Sequence, residues 1–107
     1  MIELWQTEWC PASRRIRQRL TELEVDYLIH QVPVDRAERS ALIAATGANA
    51  VPAMVLGDGT VLADEAAIRD WLDASFREPD DAVAHRDKAA HARARECREA
   101  AMSEVAR

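Results

Sequence analysis

Cys10, Pro11 and Ser13 stand together in the stretch "TEWCPASRR", and Arg14 and Arg15 follow at once. A thiol attacks as its thiolate, and a cysteine of ordinary pKa, about 8.5, is mostly protonated at neutral pH. A cysteine that opens a helix meets unpaired backbone N–H groups and the positive end of the helix dipole, and both favour an anion. Ser13 adds a hydroxyl, and Arg14 and Arg15 add charge of the same sign. Pro11 suits the first helical position, because the N–H it lacks would find no partner there. The competing reading makes Cys10 a small buried hydrophobe beside a helix start, since free cysteine is among the most buried residue types.

The elements that must hold this cysteine follow from periodicity. "MIELWQ" alternates and reads as a short strand, Thr7 to Cys10 as a loop, and Ile16, Leu20 and Leu23 as the apolar stripe of a helix whose other face carries Arg14, Arg15, Arg17 and Arg19. "VDYLIHQV" is rich in β-branched and aromatic residues and predicts a second strand. "RAERSALIAATG" predicts a second helix stopped by Gly47. The two runs of "AMVLGDGTVLAD" form a hairpin around Gly57-Asp58-Gly59, and Pro52 stands at its entrance, where a cis bond costs little. Asp64 is the expected N-cap of "EAAIRDWLDASF", with Ile68, Trp71, Leu72 and Phe76 on one face.

Residues 1–77 are therefore expected to form one α/β domain, β-α-β-α-β-β-α. Residues 78–107 change to alanine and mixed charge, predicting a C-terminal helical tail with little to bury beyond Val83, Met102 and Val105. The chain has 107 residues and a net charge of −5, which argues against nucleic acid as a partner. No signal peptide or membrane span is visible, so the expected location is the cytoplasm. Cys10 and Cys97 are too few for a disulfide scaffold. His30, His85 and His91 show no ligand spacing, and no metal site is expected.

The motif Cys10 to Ser13, the helix after it, and "AVPAMVLGDGTVLADEAAIRDWLD" resemble a glutaredoxin or the N-terminal domain of a glutathione transferase, over about residues 2 to 76. The resemblance implies a thioredoxin-like fold with a four-stranded mixed sheet and an added C-terminal helix. It makes Cys10 the exchanging thiolate and glutathione, or another small thiol, a co-substrate; no tightly bound cofactor is expected. Val51, before a cis Pro52, would pair its backbone with the ligand's cysteinyl unit, and Asp64 and Glu65 would receive the γ-glutamyl end. Trp9 and Pro11 would flank the ligand, with Trp9 shielding the thiol and offering an apolar face to a partner.

Dithiol relatives carry a second cysteine where Ser13 stands, so resolution here falls to an external thiol. The lysine that glutaredoxins place shortly before the cysteine is replaced by Thr7 and Glu8, and a transferase's serine by Glu65. Relatives that share an iron–sulfur cluster between subunits have glycine where this chain has Pro11. The leading expectation is a monothiol thiol-disulfide oxidoreductase acting on disulfide-bearing or glutathionylated proteins. Two alternatives stay open: a non-catalytic thioredoxin-like binding module, and a truncated transferase-like domain that forms a homodimer through its tail.

Overall fold

The computed structural model describes residues 1–105; Ala106 and Arg107 of the expected tail lie outside the described residues. In chain order the elements are β1 (Glu3–Gln6), α1 (Pro11–Glu22), β2 (Leu28–Gln31), a 3₁₀ turn (Arg36–Glu38), α2 (Ser40–Thr46), β3 (Ala53–Val55), β4 (Val61–Leu62), α3 (Glu65–Ser75) and α4 (Ala82–Val105). The expected order of strands and helices is the one observed. The strands form a single mixed sheet in the order β2-β1-β3-β4, with β1 parallel to β2 and antiparallel to β3, and β4 antiparallel to β3.

The apolar stripes predicted on α1 and α3 are buried together: Ile16, Leu20 and Leu23 meet Ile68 and Leu72 over Leu4 and Met54 of the sheet. Fully burying each such side chain contributes about 1.5–3 kcal/mol. A smaller cluster on the opposite face packs Leu42 of α2 against Val32 and Ala53, with Trp5 and Val51 beside it. Helices therefore cover both faces, as the parallel β1-β2 pair requires.

The second helix differs from its expected form. The run from Arg36 breaks at Arg39, whose backbone (φ −91°, ψ 37°) separates the 3₁₀ turn from α2. The cause lies in the Arg39 side chain, which is buried and donates to the carbonyls of Pro33 (2.8 Å), Asn49 (2.8 Å) and Val34 (3.3 Å). One guanidinium thus satisfies loop carbonyls on both sides of α2, and that position is incompatible with a continuous helix. Gly47 ends α2 in the left-handed region (φ 83°), where only glycine enters without strain.

The tail helix α4 packs along α1, but by polar contacts more than apolar ones. Ala82 is fully buried, whereas Val83 and Met102 are exposed. Arg86 donates to Glu22 at 3.0 Å, and Arg93 donates to Gln18 at 2.8 Å. The sequence suggests a tail with little to bury. The structure adds that α4 supplies a partner for a buried carboxylate, a contribution that apolar area does not count.

Candidate functional site

Three loops meet at one end of the sheet because of its topology. β1 leaves at Gln6 toward Cys10; antiparallel β3 enters at Ala53, opposite Trp5, directly after Pro52; and β4, antiparallel to β3, leaves at Leu62 toward Asp64. The first turns of α1 and α3 are then tied directly. Arg15 Nε donates to Glu65 Oε2 at 2.6 Å and Arg15 Nη2 to Glu65 Oε1 at 2.9 Å, a two-pronged pair linking residues 50 apart in sequence.

Cys10 is the N-cap of α1 and is half-buried. Its Sγ accepts from the backbone N–H of Ser13 at 3.4 Å, with Pro11 at the first helical position. Burial alone would oppose ionisation of the thiol. The Ser13 hydroxyl, the N–H groups of Ser13 and Ala12, and the charge of Arg15 outweigh it and hold the Cys10 pKa below its ordinary value. Ser13 is fully buried, and its Oγ also accepts from the Thr7 N–H at 3.4 Å, which fixes the loop that carries the thiol.

The two arginines after Ser13 separate. Arg15 is the one whose charge reaches the thiol, while Arg14 lies over the groove between α1 and α4 with Gln18 and Arg93. Trp9 has 60% of its surface exposed, so its indole gives an apolar face to solvent rather than a closed cover. The Val51-Pro52 peptide is cis, and Val51 precedes the first paired residue of β3, outside the β1-β3 ladder. Asp64 caps α3 as expected, Oδ1 accepting from the Ala67 N–H at 2.8 Å. Its carboxylate is thus engaged by the helix, and the neighbouring Glu65 is engaged by Arg15. The Arg15 contact, set against a slight opposing effect of burial, holds the Glu65 carboxyl below its usual range.

Sequence spacing gave no sign of three further placements. Arg17 bridges back to the loop before Cys10, donating to the Glu8 carboxylate at 3.2 Å and to the Gln6 side chain. Glu22, two residues past the apolar Leu20, is buried beneath α4. Glu24, Asp81 and His85 bring their ligating atoms within 4.8 Å of one another, although histidine spacing alone pointed to no metal ligands. The last two bring together segments distant in sequence.

The family model for the glutathione S-transferase N-terminal domain matches residues 9–75. Among solved structures, a glutathione transferase homologue from Sulfitobacter with bound glutathione is 26% identical over 69% of this chain, with a TM-score of 0.62. A glutathione S-transferase domain-containing protein from Marinobacter aquaeolei VT8 is 28% identical over 72%, with a TM-score of 0.62. A glutathione S-transferase from Rhodospirillum rubrum F11 is 29% identical over 74%, with a TM-score of 0.63. The chain covers only 36%, 40% and 35% of those three proteins respectively. No curated protein matches it. With a thioredoxin-like sheet, a cysteine-capped α1 and a cis proline before β3, and with the family match spanning most of its length, the chain belongs to the glutathione S-transferase N-terminal domain family.

Proposed function

We propose that this domain carries out glutathione-dependent thiol-disulfide exchange by a monothiol route through Cys10. The observation that carries the reading is the Cys10 thiol itself, half-buried at a helix N-terminus and held below its ordinary pKa by donors of its own turn. The Cys10 thiolate attacks the glutathione sulfur of a glutathionylated protein; a Cys10–glutathione disulfide forms and the protein thiolate leaves. A second glutathione thiolate then attacks the glutathione sulfur of that disulfide, giving oxidised glutathione and restoring the Cys10 thiolate. Ser13 cannot form a disulfide with Cys10, which is why the second thiol comes from solution.

Glutathione would lie with its cysteinyl backbone beside Val51 and its γ-glutamyl end at the start of α3, where unpaired N–H groups receive a carboxylate. Glu65 would hold the α-amino group and Arg15 would keep the Glu65 carboxylate in place. Glu65→Ser is then expected to weaken glutathione binding about tenfold in a calorimetric titration, the cost of one charge-assisted contact. Unchanged affinity would remove the start of α3 from the ligand site.

The decisive experiment is the pH dependence of Cys10 alkylation by iodoacetamide, read by mass spectrometry against a free cysteine peptide. The depressed pKa predicts that Cys10 keeps reacting at pH values where the peptide has become protonated and slow. A profile that coincides with the peptide's would leave no activated thiol and would favour a binding module. A second reading rests on the family: the domain would be the glutathione-binding unit of a transferase, with Cys10 facing bound glutathione. Conjugation of glutathione to an electrophilic test substrate, without reduction of a glutathionylated one, would select it.

A further inference from the structure

A cleft of ≈ 280 Å³ runs between α1, α3 and α4, and six arginines line it: Arg14, Arg15, Arg19, Arg69, Arg86 and Arg93. They come from three helices and meet only in the fold. Arg15 pairs with Glu65, Arg19 with Glu22, Asp73 and Glu78, and Arg86 with Glu22 and Glu78. Six guanidiniums therefore face four carboxylates. Arg14, Arg69 and Arg93 form no salt bridge among the described residues; Arg93 donates instead to the neutral Gln18, and Arg69 acts on Glu65 only through its charge, without a direct bond.

This excess of positive charge is gathered in a chain whose net charge is −5. Unpaired guanidiniums converging on one cleft repel one another, and a concave wall concentrates their field, so the arrangement gains most when an anion enters. Guanidinium presents its N–H groups as a planar fork that matches two oxygens of one oxyanion. The volume is below that of a pocket for a drug-sized ligand and suits a small polar group.

We infer that the cleft is a binding site for a small oxyanion of two or more negative charges, a phosphate or polycarboxylate group, held by Arg14, Arg69 and Arg93. It adjoins the Cys10 site through Arg15 but contains neither Cys10 nor the Val51-Pro52 loop. The inference stands without the proposed exchange reaction, because binding is read directly.

The test is isothermal titration of the whole chain with sodium pyrophosphate and, separately, with citrate, at fixed ionic strength. Saturable one-to-one binding of either supports the site, and the tighter of the two names the oxyanion class. Arg69→Gln and Arg93→Gln, which break no salt bridge, are each expected to weaken it about tenfold, and the double variant is expected to abolish it. Arg36→Ala and Arg98→Ala remove the same charge outside the cleft and are expected to leave affinity within about twofold, a change of under half a kcal/mol. Absence of saturable binding would overturn the inference, as would equal weakening by the distant arginine variants. Competition by glutathione against pyrophosphate would make the cleft part of the thiol-ligand site and would overturn its separateness.

Discussion

Cys10→Ser reduces the rate on a glutathionylated test peptide to the uncatalysed level, while Cys97→Ser keeps most of it: this is the largest effect expected of any single substitution. The thiolate is the only nucleophile the exchange can use, and a hydroxyl of far higher pKa cannot replace it. Serine is also among the preferred N-cap residues, so its oxygen can accept the Ser13 N–H as the sulfur does. The variant should therefore fold as the parent does, and the loss should be chemical. Cys97 is exposed on α4, 87 residues beyond Cys10 in sequence. A Cys10→Ser protein that keeps its rate, with the loss appearing in Cys97→Ser, would reverse the assignment.

Arg19→Ala is expected to be strongly destabilising, by about 3 kcal/mol, with a fall in Tm of more than about 10 °C. Arg19 is nearly buried and donates to Glu22 (2.9 Å), Asp73 (2.9 Å) and Glu78 (3.1 Å), so one side chain joins α1, α3 and the segment leading into α4. Removing it leaves the Glu22 carboxylate buried, with only Gln18 and Arg86 to satisfy it. The same carboxylate sets an acid limit. Burial opposes its charge, but hydrogen bonds from Gln18, Arg86 and Arg19 hold its folded pKa below the ordinary value. Its stabilising contribution is thus fully present above the unfolded pKa, about 4.3, and is lost as pH falls through the lower folded value. Thermal melts of parent and Glu22→Gln at neutral pH and near pH 3 check this. The variant should show the shallower loss on acidification, and parallel losses would exclude Glu22 as the source.

The order of elements and the buried stripes of α1 and α3 were legible in the sequence because both rest on local periodicity: Ile16, Leu20, Ile68 and Leu72 repeat at helical spacing wherever the helix lies. The caps were legible for the same reason, since Cys10 and Asp64 bond to N–H groups three residues away. What the sequence hides depends on segments meeting from afar. Glu65 resembles a ligand-binding acid in sequence, but its Arg15 partner is 50 residues away and appears only when the N-termini of α1 and α3 meet. Arg39 reads as a surface residue of a helix until loop carbonyls surround it. The groove arginines look like one solvated face of α1 until α3 and α4 bring more arginines to it.

The strand order also dictates a sequence of events during synthesis. β1 emerges first, yet it lies between β2 and β3, so it has both neighbours only after Val55 has been made. Until then the nascent chain holds a βαβ unit with one side of β1 unpaired. Glu22 waits longer still: Arg86 is made 64 residues after it, so the contact that α4 gives this carboxylate forms only once α4 has been made.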